Sequence, residues 1–227
     1  FSRNRDKFSS LNCAYNRGDC DEIVKNNRNF TSNYLNKKKI ILTNQVHSNI
    51  VSYVDKNFSK DISSDAMITN REDILLGILT ADCAPIIILG KKYFGIIHAG
   101  WKGLINGIIE NTIMKFNSLG EKENDLNVFV GPHLSMDSFE VKKDFIENIK
   151  KKIINYDNFI ESKRQKRFFN FSSLIESKLI NLKITNYDIS KEDTYTNSEK
   201  FFSHRYCCVN KIKNCGRQIS LVGINNN

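Results

Sequence analysis

Two short apolar runs joined by a glycine-containing turn constrain the fold of this chain more than any other feature. The runs span residues 85–89 and 93–97, and Gly90, Lys91 and Lys92 connect them. Apolar runs of this length, separated by three residues that include glycine, are typical of an antiparallel β-hairpin. The sequence therefore predicts a β-hairpin over residues 85–97.

The hairpin brings two chemically active side chains together. If its turn is centred on residues 90–92, facing residues have numbers that sum to about 181 to 183, so Cys83 lies opposite or diagonal to His98. Facing residues of an antiparallel pair have Cβ atoms about 4.5 to 5.5 Å apart, within which a thiolate and an imidazole can share a metal ion or a proton. A shift of one residue in register would place the two side chains on opposite faces, and the sequence leaves both registers open.

The remaining apolar patterns predict interleaved strands and helices. The predicted strands are residues 39–46, 50–54, 75–79, 126–130, 184–188 and 218–222. The predicted helices run from Leu104 to Gly120, along the stripe Val141, Phe145, Ile149 and Ile153, and from a capping box of Ser173 and Glu176. This pattern predicts an α/β or α+β sandwich, and the antiparallel hairpin makes its sheet mixed.

Length and composition favour a single domain whose cysteines are free thiols. The 227 residues fit a single domain over 1–227, and no Gly/Ser/Pro-rich stretch divides them. Six cysteines are too few for a secreted disulfide scaffold of this length. No apolar stretch approaches the roughly 18 residues that span a bilayer, so we expect a cytoplasmic protein without a membrane partner. The oligomeric state stays open.

The net charge of +9 raises the question of nucleic acid. The basic residues are mostly lysines spread along the chain, and the densest cluster is residues 163–167, followed by Phe168 and Phe169. A basic strip beside aromatic residues could bind RNA, and an RNA-binding module stays an alternative. A solvated loop before an apolar strand is the more common meaning of this pattern, so nucleic acid is not an expected partner.

Other side chains could contribute to a site beside the hairpin. Gly100 and Lys102 lie where the second hairpin strand turns into a helix, whose unpaired N–H groups, with Lys102, could hold an anion. An ordinary connection would have the same residues. His47 falls between two predicted strands, and alone it is more often a residue without function. His133 and His204 have no partner pattern and are not predicted to be functional.

Several blocks of the sequence resemble a known family. They are QVHSNIV, SDAMIT, TADCAPIII, IHAGWKGL, GPHLSMDSFEV and FFSHRY with CGRQIS, in order and over nearly the whole chain. These blocks are similar to those of the laccase-domain family, long labelled multicopper polyphenol oxidases. Its members are understood as zinc-containing purine nucleoside phosphorylases that also act on methylthioadenosine and deaminate adenosine.

The resemblance implies a fold, substrates and site residues. The implied fold is a layered α/β/β/α sandwich, related to the cysteine-hydrolase fold of a bacterial deamidating (cytotoxic necrotizing factor) toxin. The implied substrates are a purine nucleoside, such as inosine or adenosine, and phosphate. By position, the metal ligands are His47, Cys83 and His98, which are also the catalytic centre. Candidates for substrate or phosphate binding in and beside these blocks are Gln45, Gly100, Lys102, Arg205 and Arg217.

The chemistry of these residues leaves alternatives open. Two imidazoles and one thiolate leave a fourth position on a tetrahedral zinc ion, the arrangement of catalytic sites. Blue-copper sites use the same ligand types, so copper is a less favoured cofactor. A copper-binding polyphenol oxidase, as the older label says, is disfavoured because four-electron oxygen reduction needs more imidazoles than four histidines supply. Asp82, beside Cys83, is a candidate proton donor or a residue that orients a ligand.

A metal-free enzyme is the other alternative. Cys83 and His98 could be the nucleophile and base of a cysteine hydrolase. Convergence of His47 with them would favour a metal, whereas an Asp, Asn or Gln such as Gln45 orienting His98 would favour nucleophilic catalysis. Cys207, Cys208 and Cys215 could bind a second metal, although incidental thiols are more common.

Overall fold

The computed structural model describes residues 11–35, 39–59 and 61–224. Elements are numbered in chain order. The strands are β1 (Lys39–Ile41), β2 (Val51–Tyr53), β3 (Ala66–Thr69), β4 (Ile74–Thr80), β5 (Ala84–Leu89), β6 (Phe94–Ala99), β7 (Asn127–Val130), β8 (Glu140–Val141), β9 (Ile160–Lys163), β10 (Lys166–Phe169), β11 (Asn186–Ile189) and β12 (Gln218–Val222). The helices are α1 (Asp21–Tyr34), α2 (Trp101–Ile105), α3 (Ile108–Ser118), α4 (Lys143–Lys150), α5 (Phe171–Asn181) and α6 (His204–Val209).

The predicted hairpin is present at the centre of a six-stranded mixed sheet. The strand order is β11-β7-β5-β6-β3-β2, with β5 and β6 antiparallel. Pro85 faces His98 and Ala84 faces Ala99, so each facing pair sums to 183, within the predicted range. Cys83 directly precedes β5 and is therefore diagonal to His98.

A second sheet packs against the first. Its strand order is β1-β4-β12, and an apolar cluster that includes Leu76 and Ile78 of β4 meets Phe94 and Ile96 of β6 between the two sheets. The opposite face of the six-stranded sheet packs on α2, α3, α4 and α5. The expected mixed α/β class with layered sheets is confirmed.

The layering determines where His98 points. Side chains alternate along a strand, so His98 shares the face of Phe94 and Ile96, toward the second sheet. It lies at the end of β6, where residues 81–83 pass from β4 in one sheet to β5 in the other. The two sheets therefore meet the Cys83 segment at one common edge.

Two predicted helices differ in the structure. The helix expected from Leu104 to Gly120 begins at Trp101 and is interrupted at Gly107, whose φ of +89° suits a residue without Cβ. The stripe through Ile153 extends past the end of α4 at Lys150. A helix therefore covers only part of each apolar pattern.

The predicted capping box of Ser173 and Glu176 is wrong. The cap of α5 is Asn170, whose side chain accepts from Ser173 N at 3.0 Å. The helix starts at Phe171, because the Asn170 side-chain oxygen satisfies the N–H of Ser173, which has no partner within the first turn.

The basic cluster is part of a hairpin and not a loop. Strands β9 and β10 contain Lys163, Lys166 and Arg167, and the turn between them is Arg164-Gln165, with positive φ at both residues. Lys163 pairs with Asp137 and Glu161, and Lys166 pairs with Glu140. Part of the positive charge is thus already neutralised.

Three further differences concern short or polar elements. The strand expected over 39–46 ends at Ile41. Strand β3 and helix α1 were not predicted, and α1 buries only Val24, so its polar sequence gave too weak an apolar stripe.

Among the described residues, no helix has the length and apolar character that crossing a bilayer requires.

Candidate metal centre and substrate cavity

A buried carboxylate organises the loop that carries His47. Asp65 is 0% exposed and directly precedes β3. Its oxygens accept from the backbone N–H groups of Val46, His47 and Ser48 at 3.2, 3.0 and 2.6 Å, and from the Ser48 hydroxyl at 2.7 Å. These bonds hold His47 in a left-handed conformation with φ of +59°. The loop around His47 is therefore anchored to the sheet by Asp65.

The same carboxylate also orients His98. Asp65 Oδ1 lies 2.8 Å from His98 Nδ1, and His98 N donates to Asp65 O at 2.7 Å. Because a carboxylate accepts, Nδ1 carries the proton, which leaves Nε2 of His98 to face the centre. His98 is 3% exposed. One residue thus positions both histidines.

The three expected ligand residues converge. Each of His47, Cys83 and His98 contributes one possible ligand atom, and these three atoms lie within 4.8 Å of one another. Cys83 Sγ is 3.8 Å from His47 Nε2. The two imidazole rings meet edge to face, with centroids 4.7 Å apart. All three side chains therefore point to a common position at the edge of the two sheets.

This donor set fits a metal ion. Sulfur and nitrogen ligands at normal zinc distances and tetrahedral angles are about 3.6 Å apart, close to the sulfur–nitrogen separation found here. Asp65 on His98 supplies the carboxylate–histidine contact usual beside metal-bound imidazoles. The His47-Cys83-His98 group can thus bind a metal, with one position left for a further ligand.

Without a metal ion, the group has shifted proton affinities. Burial alone would raise the pKa of Cys83, but hydrogen bonds from His47 and His98 outweigh it and lower the pKa to about 7. Burial alone would lower the pKa of His98, but Asp65 and Cys83 outweigh it and raise the pKa to about 9. Burial would also raise the pKa of Asp65, but bonds from His98 and Ser48 lower it to about 2. Without a metal, the surroundings thus favour the thiolate of Cys83 and the imidazolium of His98 over their neutral forms.

Close packing requires glycine at position 100. A Cβ there would lie 2.6 Å from His47 Cδ2 and 3.3 Å from Cys83 Sγ. Gly100 is not among the residues that line the neighbouring cavity, described below. Helix α2, whose start was expected to hold an anion, has only five residues. The expected contact of Gly100 with substrate is thus replaced by a steric role, in which its missing side chain lets the ligands approach.

A cavity of about 700 Å³ opens beside the three ligand residues. Aromatic side chains line part of it, namely Tyr15, Trp101, Phe139 and Phe171. Basic side chains line another part, namely Arg17, Arg28, Lys102, Arg205 and Arg217, with His204. The cavity thus combines a metal-type group, apolar rings and positive charge.

Gln45 does not orient His98; Asp65 does, so the orienting residue that the hydrolase alternative requires is present, but at a different position. Its amide bridges to Leu79, with Nε2 donating to Leu79 O and Leu79 N donating to Oε1, both at 2.8 Å. Gln45 lines the cavity, but both ends of its amide are used to fix the loop to β4. The residue that orients His98 is Asp65.

Asp82 also lines the cavity, in a strained conformation with φ of +82°. Oδ1 accepts from Thr194 Oγ1 at 2.7 Å and Oδ2 accepts from Arg205 N at 2.6 Å. Both oxygens are therefore occupied by acceptor contacts that tie Asp82 to the segment carrying Arg205.

The predicted basic residues reach the cavity by different contacts. Arg205 Nη2 donates to Glu140 O at 3.0 Å and its guanidinium lies over the Phe139 ring. Arg217 Nη1 donates to two backbone oxygens of its own segment, and Lys102 Nζ lies 5.7 Å from the Trp101 ring.

The late cysteines do not form a second metal group among the described residues. Cys215 is buried and donates to Ser203 O, and burial together with the Cys207 thiol raises its pKa to about 12. Cys208 is exposed, with Sγ 3.5 Å from Nε2 of His204.

Sequence reasoning missed Asp65, Arg17 and His204 as parts of this region. Asp65 was marked only by an acidic residue directly before an apolar run in SDAMIT, a pattern also common at ordinary strand starts. Arg17 lies in a polar segment without periodicity, and His204 had no partner in the sequence. Their proximity depends on contacts between distant segments.

Comparison with known proteins agrees with this geometry. The family model described as multi-copper polyphenol oxidoreductase laccase matches residues 2–225. A Rickettsia conorii protein named purine nucleoside phosphorylase is 33% identical over 188 residues, which cover 81% of this chain and 77% of that relative. An Aquifex aeolicus protein of the same name is 40% identical over 115 residues, 50% of this chain and 54% of the relative.

Solved structures share the fold. The Neisseria meningitidis protein NMB0706 superimposes with a TM-score of 0.86 at 23% identity, covering 100% of this chain and 91% of that chain. YlmD from Geobacillus stearothermophilus gives a TM-score of 0.87 at 21% identity, covering 98% and 87%. With a model match over nearly its full length and a relative above 30% identity, the chain belongs to the multi-copper polyphenol oxidoreductase laccase family.

Proposed function

We propose that this chain is a purine nucleoside phosphorylase that binds a metal through His47, Cys83 and His98. The observation that carries the proposal is the convergence of these three side chains at the wall of a cavity that also holds aromatic rings and basic groups. The names of the relatives support the reaction class. The single domain and the cytoplasmic location stay predictions.

Zinc is the cofactor we assign to this group, with copper less favoured. The donor set of two imidazoles and one thiolate, with a fourth position open, suits zinc in a catalytic role. When bound, zinc would supply a Lewis acid that lowers the pKa of a bound water from about 15.7 toward about 7. Asp65 keeps the proton on His98 Nδ1, so Nε2 is the atom available to the metal.

The reaction divides between two kinds of side chain. A phosphate oxygen forms a bond to ribose C1′ while the bond from C1′ to the purine breaks, and the base leaves with the electron pair and takes up the proton that the attacking hydrogen phosphate gives up. Tyr15 and Phe139 line the cavity and supply aromatic surface against which a purine would pack. Arg205, Arg217 and Lys102 offer positive charge for phosphate and for the charge that develops during transfer.

Asp82 acts here as a positioning residue and not as the proton donor. Its two oxygens accept from Thr194 and from the backbone of Arg205, so an ionised carboxylate suits both contacts. It thereby fixes the start of α6, from which Arg205 projects to the cavity.

The test is product analysis with purified protein. Inosine, adenosine and methylthioadenosine are incubated with and without phosphate, and release of free base together with ribose 1-phosphate, or its methylthio analogue, is expected only with phosphate. Adenosine without phosphate tests the deaminase activity, which would yield inosine and ammonia. No free base from any nucleoside in zinc-loaded protein would reject the phosphorylase proposal.

The metal ligands are tested by a matched pair of cysteine variants. Cys83→Ala should lower bound zinc, measured by elemental analysis, and abolish phosphorolysis. Cys20→Ala removes an exposed thiol outside the cavity lining and should leave both unchanged. Equal zinc content in the two variants would remove Cys83 from the ligand set.

A metal-free cysteine hydrolase is the second candidate, because Cys83, His98 and Asp65 also have the order of a nucleophile, base and orienting acid. His47 beside the thiol favours the metal alternative, since a hydrolase needs no second imidazole there. Activity that survives complete metal removal but is lost on alkylation of Cys83 would support the hydrolase instead.

A further inference from the structure

The cavity has a strong imbalance of charge away from the metal-type group. Five basic side chains line it, namely Arg17, Arg28, Lys102, Arg205 and Arg217, whereas Asp82 is the one acidic residue among the lining residues that the structure describes. The carboxylate of Asp82 is already used by Thr194 and by the backbone of Arg205. Among the described lining residues, no carboxylate is therefore left as a counterion for the guanidinium groups.

The arginines have few competing contacts. Within the described ranges, none of the four lining arginines forms an ion pair with a carboxylate. Arg28 donates through Nε to Cys13 O and lies over the Tyr15 ring. Arg205 and Arg217 donate to backbone oxygens, and the side chain of Arg17 has no hydrogen bond to a described residue. Most guanidinium donors are left for a ligand.

Contacts outside their side chains join the segments that carry two of these arginines, Arg17 and Arg217, which line the same cavity. Cys13 N donates to Arg217 O, and Arg217 N donates to the Asn12 side chain, both at 2.9 Å. Gly18 packs closely against the Asn214 side chain. The segment carrying Arg17 is thus fastened to the segment carrying Arg217, without use of either guanidinium.

The positive charge of Arg217 lowers the pKa of two basic neighbours, Arg17 and His204. Arg217 is the first cause of the lowered pKa of Arg17, followed by burial. Burial is the first cause of the lowered pKa of His204, and Arg217 follows. The repulsion would be relieved by a bound anion. A polar ligand is also indicated by Thr80, which lines the cavity, is 1% exposed and has a hydroxyl without a partner in the described part of the chain.

We infer that Arg17 and Arg217 form an anion subsite that binds a tetrahedral phosphate group. Guanidinium groups present pairs of N–H donors that match two phosphate oxygens, so they are suited to this anion. The inference rests on the proposed function for its catalytic meaning, since phosphate held here would share one cavity with the nucleoside. The candidates from the sequence were Gln45, Gly100, Lys102, Arg205 and Arg217. The subsite keeps Arg217, adds Arg17, which the sequence did not single out, and does not use Lys102 or the start of α2.

Two sources could supply this phosphate group. Inorganic phosphate would be the attacking co-substrate of phosphorolysis, whereas the 5′-phosphate of a nucleoside monophosphate would make the subsite part of nucleotide recognition. Both have the same tetrahedral, doubly charged chemistry, and direct binding measurements separate them.

The experiment measures binding and does not require turnover. Inorganic phosphate and adenosine 5′-monophosphate are each titrated into the full-length, zinc-loaded protein at constant ionic strength, with calorimetry or phosphorus NMR as the readout. Arg17→Gln is the main variant, because its side chain has no described contact that folding would lose. Arg217→Gln is the second, and Arg167→Gln, at an exposed position of strand β10, is the matched control.

We expect Arg17→Gln and Arg217→Gln each to weaken phosphate binding at least about tenfold, the effect of one lost charge-assisted hydrogen bond. Arg167→Gln should bind as the wild type does, and Lys102→Gln should change affinity less than Arg17→Gln. Tight binding of inorganic phosphate identifies the co-substrate, and tight binding of the monophosphate alone identifies a nucleotide. Either result, with the same arginine dependence, supports the subsite.

Three results would overturn the inference: no binding of either ligand to the wild type, equal affinity in Arg17→Gln and wild type, or loss of binding only in Lys102→Gln. The proposed function fails separately. Phosphate bound with this arginine dependence, but without release of free base from any nucleoside, would keep the subsite and reject the phosphorylase.

Discussion

Strand β6 has a buried carboxylate near each of its ends, and the two differ in what they hold. At the start of the strand, Glu121 accepts from the consecutive N–H groups of Lys91, Lys92 and Tyr93 at 2.9, 2.7 and 3.1 Å. Glu121 is 6% exposed. All of these contacts go to the backbone of the β5–β6 turn.

At the far end, Asp65 accepts from the consecutive N–H groups of Val46, His47 and Ser48 in the same manner. It differs because it also contacts the imidazole of His98. The comparison teaches that one structural device, a carboxylate receiving three successive backbone donors, acts at one end as a turn support and at the other as the anchor of a functional group.

The largest effect should come from Asp65→Asn. The amide keeps the size of the side chain but loses the charge that four donors and His98 require. We expect a loss of about 3 kcal/mol in the free energy of unfolding, and a fall of about 10 to 100-fold in zinc affinity. Urea denaturation and competition with a chelator measure the two quantities. Unchanged zinc affinity would show that the two carboxylates are equivalent supports.

A pair of glycine variants isolates packing from charge. A Cβ at Gly100 would lie 2.6 Å from His47 Cδ2, and a Cβ at Gly90 would lie 2.6 Å from Glu121 Cδ. Both Gly100→Ala and Gly90→Ala should destabilise the fold by about 1 to 3 kcal/mol through overpacking. Only Gly100→Ala should also lower zinc affinity in the chelator assay. Equal zinc affinities would separate the His47 loop from the metal group.

Glu121→Gln should produce a smaller change. The amide oxygen still accepts one or two of the three N–H bonds, so we expect a loss of about 1 to 2 kcal/mol in unfolding free energy. Zinc content and phosphorolysis should equal those of the wild type, because the turn is remote from the ligands. A parallel loss of zinc would contradict the division between the two ends.

The smallest expected effect is on pH dependence. Burial would raise the pKa of Glu121, but the N–H donors of Lys92, Lys91 and Tyr93 outweigh it and lower the pKa below its usual value. A carboxyl with a lowered folded-state pKa adds stability above its unfolded pKa, about 4.3, and loses it as the pH falls through the folded value. The stability difference between wild type and Glu121→Gln should therefore shrink on acidification below about pH 4.3 in urea titrations. A difference that grows would refute this sign.

The comparison also explains what the sequence could predict. The hairpin could be predicted because its turn and apolar runs are local in sequence. The position of the turn also predicted which residues face each other, to within two residues. Cys83 and His98 follow from that local pairing, and His47 came from a matching block. The interruption at Gly107 and the cap at Asn170 are local too, but several nearby residues could have fulfilled either role.

Asp65 and Arg17 could not be predicted because their partners are distant in sequence. Asp65 contacts residues near 47 and 98, and Arg17 is placed by bonds between residues 12–13 and 217. Neither position has a pattern of its own that separates it from ordinary acidic or basic residues. Helix α1 is a third case, since a helix that buries only Val24 has almost no periodic signal.

The shared carboxylate has a consequence for how the centre assembles. His47 and His98 come from separate parts of the chain, yet a single side chain fixes the backbone of one and the ring of the other. A change at Asp65 would therefore disturb both nitrogen donors at once, whereas loss of either histidine would leave the other one held by Asp65.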